Sequence, residues 1–285
     1  MEQRIFNFTD AQLTAETARN GTLNLVIGSD GISLLATDAF GRPLALQIQP
    51  FSNAGRSFVE TEADVRRVFG HETLLAHLYS RVRCAFSNGN ATLVPRRLFQ
   101  PDDLSAYFKM LLHTGDYTYG YTALPAFDCV LVYAVEPAIH RLVGQYFPEA
   151  HTTHLAATLL PAYQKYSIRS GYEVCVHLRF SSLFVTVFDR QNLLFYNAFQ
   201  FKQPSDVLYY TLLAYEQFRL NPLETPLLLT GSLVEDSAIY RLLQRYFRSL
   251  QFGLLREAFP LPVSAGTLPS HTFFDLYSLQ VTNNQ

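Results

Sequence analysis

The sequence predicts an α/β protein with two similar lobes. Residues 138–147 and 238–247 are identical at six of ten positions, at an offset of one hundred residues. Both segments have the apolar spacing of an amphipathic helix, and both follow a short apolar strand. Residues 23–51 and 173–201 each contain three apolar runs separated by turn residues, which predicts three consecutive strands in each half. An internal duplication of this kind indicates two lobes with a cleft between them.

The first half carries further segments after its strand meander. Residues 62–79 have helical spacing, and residues 82–95 predict a hairpin around an Asn-Gly turn. A proline begins the segment 101–113, whose apolar side chains share one face, so we predict a second helix there. The Gly- and Tyr-rich tract 115–125 predicts a loop. We therefore expect a helix–hairpin–helix insertion at about residues 52–125.

The second half is shorter. Pro204 begins a helical segment, and the apolar strand 227–229 leads into the second copy of the repeated helix. We therefore predict that the first lobe comprises residues 1–168 and the second lobe residues 169–285.

Composition and charge exclude several classes of protein. The net charge is −2 and the arginines are scattered, so we expect no nucleic-acid partner. The cysteines Cys84, Cys129 and Cys175 lack CxxC spacing, which argues against a disulfide framework and against a zinc site. The first residues have no apolar core of a signal peptide, and no run reaches the roughly 18–20 apolar residues of a membrane helix. We expect a cytoplasmic protein without membrane insertion.

The order of elements resembles the actin-like ATPase superfold, which is ribonuclease-H-like: three meander strands, then helix, strand and helix, present twice. Motifs in the second half also resemble an uncharacterised Bacteroidetes domain-of-unknown-function family with this fold: Leu194–Phe201, Asp206–Tyr210, Tyr215–Gln217, Leu229–Gly231, Asp236–Ser237 and Leu268–His271. The likeness covers most of the chain. The additional segments of the first half resemble, in topology, type IV pilus assembly proteins of the actin-like class. The resemblance implies a bacterial protein with a duplicated fold, in which each lobe has a mixed sheet flanked by helices.

The superfold implies two phosphate loops, one in each lobe. Each loop is a strand–turn–strand unit that needs glycine for close backbone approach and a carboxylate before the turn to hold Mg²⁺. In the first half, Gly28 and Ser29 match the glycine and hydroxyl of that loop, but Val26 stands where the superfold carries aspartate. Asp30 lies further along and is either a displaced acidic site or an ordinary turn residue.

The second phosphate loop departs further from the pattern. Its turn has neither glycine nor aspartate and presents His177 and Arg179 instead. The loop that holds the nucleotide base in the superfold has a single glycine, Gly231. We therefore predict no catalytic residues, no metal site and no cofactor. If ATP with Mg²⁺ binds nonetheless, the residues expected at the site are Gly28, Ser29, Asp30, His177, Arg179 and Gly231.

Three functional hypotheses follow. The leading one is a catalytically degenerate actin-like protein that acts as a protein-interaction or scaffold module for an unidentified protein partner. The alternative is a divergent ATP-binding protein or ATPase with the nucleotide in the cleft between the lobes. The third is a cleft that binds another small ligand through His177 and Arg179. The sequence does not indicate an oligomeric state.

Other candidate residues have simpler explanations. His151 and His154 have metal-ligand spacing for a helix, but two partly exposed histidines are the favoured interpretation. The paired acids at 102–103 and 235–236 precede helices, where they stabilise the positive end of the dipole. Cys175 lies in an apolar strand, which favours an inert buried thiol. Two aromatic clusters, at 117–121 and at 195, 196, 199 and 201, are either a partner surface or edge-strand packing.

Overall fold

The computed structural model describes residues 6–51, 58–110, 116–166, 171–253 and 269–281. These residues form two compact units: the first holds the described residues up to 157, and the second holds those from 158 onward. The predicted lobe boundary at residue 168 lies outside the described residues and stays a prediction. None of the described helices is long and apolar enough to cross a membrane.

The described strands, in chain order, are β1 (Phe6–Thr9), β2 (Thr22–Gly28), β3 (Gly31–Thr37), β4 (Pro43–Pro50), β5 (Arg81–Ser87), β6 (Ala91–Pro95), β7 (Thr118–Leu124), β8 (Cys129–Val135), β9 (His151–His154), β10 (Tyr172–Arg179), β11 (Ser182–Asp189), β12 (Asn192–Gln200), β13 (Leu227–Gly231) and β14 (Leu250–Phe252). The described α-helices are α1 (Ala15–Arg19), α2 (Phe58–His71), α3 (Pro137–Tyr146), α4 (Ala156–Tyr166), α5 (Pro204–Gln217), α6 (Ala238–Leu243) and α7 (Phe274–Val281).

Each unit has a mixed sheet, and the two sheets share one strand order apart from the additional edge strand β1 of the first sheet. The first sheet runs β1-β4-β3-β2-β5-β9, and the second runs β12-β11-β10-β13-β14. In both sheets the three meander strands are antiparallel, and two further strands continue in parallel beyond the first meander strand. The two predicted meanders and the α/β class are confirmed.

The predicted hairpin at 82–95 is wrong. Strand β5 pairs in parallel with β2 in the main sheet, whereas β6 pairs with β8 in a separate three-stranded sheet, ordered β6-β8-β7. The Asn-Gly turn is present, but the Asn88 amide donates to the carbonyl oxygen of Ala134 in β8 at 3.0 Å. A turn signal specifies a change of direction and leaves open which strand the chain pairs with afterwards.

The insertion therefore begins later than predicted. Helix α2 lies between the third meander strand and the next parallel strand, which is the position that α5 holds in the second unit. The segment without a counterpart is the one between β5 and α3, which contains the small sheet. Within it, the predicted helix at 101–113 is a short 3-10 helix at Leu104–Phe108, and residues 111–113 lie outside the described part.

The tract 115–125 was predicted as a loop, and this prediction is also wrong, because it contains strand β7. Gly120, one of the glycines of this tract, lies directly opposite Tyr133 of β8. A Cβ at position 120 would come within 2.6 Å of the Tyr133 ring. Glycine is required at position 120 because the Tyr133 ring occupies the space that any larger side chain would fill.

The repeated helices α3 and α6 are similar in part. Along the chain, α6 lies between the parallel strands β13 and β14, whereas α3 follows β8 of the small sheet and precedes β9 of the main sheet. Val143 and Leu243 are both buried, whereas Leu142 is buried and its counterpart Leu242 is half-buried. Their earlier positions differ: Ile139 is buried, whereas Ile239 is half-buried. Helix α6 is six residues long against ten in α3, so it covers less of its sheet.

Candidate functional site

Strand β10 carries polar side chains on the face opposite to the apolar core of the second unit. Val174, Val176 and Leu178 pack in that core. Because side chains alternate along a strand, His177 and Arg179 lie on the other face. Both are buried, at 0% and 1% exposure. Strand β13 contributes the partner of His177 and helix α7 that of Arg179, and helix α4 contributes a further side chain to the network.

A chain of hydrogen bonds connects His177 to α4. The Thr230 hydroxyl donates to the main-chain oxygen of Val176 at 3.3 Å, which leaves its lone pairs as acceptors. Tyr163 on α4 lies 2.6 Å from this hydroxyl, and Nδ1 of His177 lies 3.0 Å from it. The network therefore assigns the Tyr163 hydroxyl and the Nδ1–H of His177 as donors.

His177 is neutral in this setting. Burial, together with the nearby charge of Arg179, lowers the pKa of His177 to about 3. Its Nε2 is buried without a hydrogen-bond partner among the described residues. With the proton on Nδ1, this nitrogen presents a lone pair, which is a less costly group to leave unpaired than a buried N–H.

Arg179 ends β10 in a buried ion pair. Its Nε lies 3.4 Å from Oδ2 of Asp275, and the two side chains are 2% and 6% exposed. Burial raises the pKa of Asp275, and the guanidinium of Arg179 partly offsets that rise. The Arg179 guanidinium also lies over the ring of Phe180, at 4.7 Å from the ring centre. Asp275 stands in the first turn of α7, where a carboxylate is favoured by the helix dipole.

Gly231 completes this group because only glycine fits at its position. Its φ is +86°, and a Cβ would lie 2.0 Å from the carbonyl oxygen of Leu178 and 2.9 Å from Cε1 of His177. The same carbonyl accepts the N–H of Ser232 at 2.7 Å. The glycine thus serves the close packing of β13 on β10.

The first-unit residues lie at the turn between β2 and β3. Gly28 pairs with Gly31, so Ser29 and Asp30 form a two-residue turn. Ser29 is exposed and Asp30 is buried, and the main-chain oxygen of Asp30 accepts the N–H of Phe51 at 3.0 Å. The six residues named from the sequence thus fall into two groups, each at the end of its own sheet.

Sequence reasoning missed the partners of this site. Tyr163 and Asp275 carry the hydrogen-bond chain and the ion pair, and neither was singled out. One signal was available for Asp275, because this residue interrupts an otherwise apolar run, Phe273–Tyr277. A carboxylate in such a run predicts a buried cationic partner.

The other sequence candidates are structural. His151 is exposed, but His154 is fully buried, so the interpretation as two partly exposed histidines is wrong for His154. Burial lowers the pKa of His154 to about 4, and its Nε2–H donates to the oxygen of Asn88 at 3.1 Å. The described residues hold no group of three or more potential metal ligands of the His, Cys, Asp or Glu type.

The acids and the thiol also have structural roles. Asp103 caps its 3-10 helix by accepting the N–H of Ala106 at 3.2 Å. Ser237, the residue after the acids at 235–236, is the residue that caps α6. Cys175 is fully buried, and burial raises the pKa of its thiol well above the ordinary value, as expected for an inert group.

Comparison with known proteins identifies the family. Residues 10–250 match the family described as protein of unknown function (DUF3822). The chain belongs to this family. A solved Bacteroides thetaiotaomicron protein with an actin-like ATPase fold and unknown function is similar, with a TM-score of 0.75 and 19% identity over 90% of this chain and 98% of that one. No curated protein matches the sequence.

A second similar structure comes from a PilM–PilN type IV pilus biogenesis complex. Its TM-score is 0.62, with 12% identity over 92% of this chain and 98% of that one. At these identities the likeness shows the fold, and the actin-like resemblance is confirmed at that level.

The residues at the two turns fit magnesium and a nucleotide poorly. The strand positions where the superfold places a carboxylate hold Val26 and His177, which are buried and uncharged. The guanidinium of Arg179 is already paired with Asp275. Asp30 is the only acidic side chain among the six residues named from the sequence. We therefore derive no hydrolytic step from this arrangement.

Proposed function

We propose that this chain is a catalytically degenerate actin-like protein that acts as a protein-interaction or scaffold module. The observation that carries the proposal is the buried Arg179–Asp275 ion pair beside the neutral His177. Phosphate oxygens need N–H donors and a cation at this turn. Here the cationic side chain is neutralised by Asp275, and the unpaired His177 nitrogen presents a lone pair.

Several finer statements belong to this proposal. The common strand order of the two sheets supports an origin by internal duplication. We place the protein in the bacterial cytoplasm and expect a protein partner, with no role for nucleic acid. The similar fold seen within a PilM–PilN complex supports a use of this fold in protein assembly.

The small sheet offers a surface for such a partner. Tyr121 is 50% exposed, and its ring lies 4.9 Å from that of Phe99, beside Leu98 at 59% exposure. The second aromatic cluster is better explained by packing: Phe199 stacks on Tyr210 of α5 at 4.1 Å. Exposed aromatic side chains commonly anchor protein interfaces.

Two measurements test the proposal. A phosphate-release assay with MgATP should give no turnover above a buffer blank. Affinity capture from native lysate should retain a partner with the wild-type chain, lose it with Tyr121→Ser, and retain it with Phe40→Ser, a matched control at a residue that is 84% exposed in the first unit. Turnover of MgATP, or equal capture of the partner by Tyr121→Ser and Phe40→Ser, would contradict the proposal.

The alternative function is a divergent ATP-binding protein. The Gly28–Gly31 pair and the buried Asp30 favour it, since they provide a tight glycine turn with an acidic group. Binding of MgATP that depends on Asp30 separates this alternative from the degenerate scaffold.

A further inference from the structure

A polar pocket lies in the first unit, and none of the residues at the two turns lines it. It lies against edge strand β1, strand β4 and the chain that follows α2, and its volume is about 190 Å³. This is below the roughly 300–1,000 Å³ of pockets for drug-sized ligands. The pocket therefore has the size for a small group or a single side chain. The lining residues are Asn7, Phe8, Thr9, Leu13, Ala45, Gln47, Glu72, Thr73, Leu74 and His77.

The strand register directs polar groups to this pocket. Asn7 lies opposite Gln47, and Thr9 lies opposite Ala45, so these four side chains share one face of the sheet. On that face Nε2 of Gln47 donates to Oε2 of Glu72 at 2.8 Å. This bond fixes the Gln47 amide and leaves its Oε1 as an acceptor.

The Gln47 oxygen is unused. Gln47 is 9% exposed, and its Oε1 is buried without a hydrogen-bond partner among the described residues. The other carboxylate oxygen of Glu72 accepts only a long bond, 3.4 Å, from the N–H of Leu74. The wall of the pocket thus holds an amide oxygen without a donor, Oε1 of Gln47, and one carboxylate oxygen, Oε1 of Glu72, with only a long hydrogen bond.

The charge of the pocket selects for a cation. Its lining contains Glu72 and no lysine or arginine. Glu72 directly follows the last residue of α2, and the carbonyl end of a helix also favours positive charge. A group with several N–H donors in one plane matches a carboxylate and an adjacent amide oxygen better than a point charge does.

We propose that this pocket binds a guanidinium group, as carried by an arginine side chain. The site is independent of the degenerate turns, so its failure and that of the proposed scaffold role are distinguishable. Guanidinium groups occur both in peptide-linked arginine and in free arginine. Free arginine brings an α-carboxylate towards Glu72, so it should bind more weakly than a peptide-linked form.

The test is an NMR titration of the full chain with Nα-acetyl-arginine amide. We expect saturable shifts of the Leu74 amide and the Gln47 side-chain amide, with a Kd on the order of 1 mM and weakening with salt. The neutral isostere Nα-acetyl-citrulline amide should bind to the wild type about tenfold more weakly than the arginine probe does. The arginine probe should likewise bind about tenfold more weakly to Glu72→Gln than to the wild type. Glu62→Gln is the matched control, because Glu62 pairs with Arg66 on α2 and does not line the pocket; it should leave binding unchanged.

Thr73→Arg provides a second variant in case Glu72→Gln disturbs the fold. Thr73 is exposed and lines the pocket, so a tethered guanidinium there should occupy the site and abolish probe binding. Equal binding of the arginine and citrulline probes, or unchanged binding to Thr73→Arg, would overturn the assignment. If free arginine binds as tightly as Nα-acetyl-arginine amide, the inference that the natural guanidinium belongs to a peptide-linked arginine is refuted.

Discussion

Substitution of Arg179 should show how much the buried ion pair contributes to the free energy of unfolding of the second unit. In Arg179→Met the carboxylate of Asp275 stays buried, at 6% side-chain exposure, without its cation. Breaking a buried pair on one side costs about 3–5 kcal/mol. The 3.4 Å separation is longer than the roughly 2.7–2.9 Å of an ideal charged hydrogen bond, so we expect a loss near 3 kcal/mol in the free energy of unfolding.

The double variant Arg179→Met with Asp275→Leu sharpens this prediction. It removes both charges, so it should be more stable than Arg179→Met alone and close to the wild type.

The stability of Arg179→Met should also depend on pH, with a definite sign. Burial raises the folded-state pKa of Asp275, and losing Arg179 raises it further, so the stability linked to this proton is present at low pH and lost as pH rises.

Urea unfolding of the full chain, followed at pH 4.5 and pH 7.5, measures both effects. We expect the deficit of Arg179→Met to be smaller at pH 4.5. A single variant that loses less than about 1 kcal/mol, or a double variant no more stable than the single one, would refute the reasoning.

Five further substitutions test the packing of the two units and the buried histidine. Ile139→Ala should cost about 2–5 kcal/mol, whereas Leu242→Ala should cost clearly less because this side chain is half-buried; equal shifts in denaturant midpoint would contradict the burial difference. Gly231→Ala should be strongly destabilising, since the new Cβ meets a main-chain oxygen at 2.0 Å, while Gly171→Ala, at a similar φ with open space, should cost only about 1–2 kcal/mol. Burial depresses the pKa of His177 to about 3, so its contribution to stability is present above pH 6.5 and lost as pH falls towards 3; His177→Gln should flatten stability over that range in urea titrations.

The sequence predicted the meanders because their signals are local. Each meander strand is an apolar run bounded by turn residues, and antiparallel neighbours joined by tight turns pair with little ambiguity. The family motifs of the second half then indicated which superfold contains these meanders. Local signals could not predict that β5 pairs with β2, because parallel pairing joins strands that are distant in the chain.

The candidate site was predicted only in part for a similar reason. The sequence indicated His177 and Arg179 as departures from the phosphate-loop pattern, and both lie at the expected strand end. Tyr163, which bonds to Thr230 beside His177, lies on α4, the helix just before β10 in the chain, whereas Asp275 lies on α7, far along the chain from Arg179. Only the packing of α4 and α7 on the sheet brings them together. Without these partners, the charge at the turn cannot be assessed from the sequence.

Calorimetric titration of the full chain with MgATP tests the central claim most directly. The account predicts no saturable heat at nucleotide concentrations on the order of 1 mM, because the second turn offers a neutral histidine and a neutralised arginine to the phosphates. Asp30→Ala should behave as the wild type does. Saturable binding with a Kd on the order of 1 μM that Asp30→Ala abolishes would contradict the degenerate scaffold and establish the nucleotide-binding alternative.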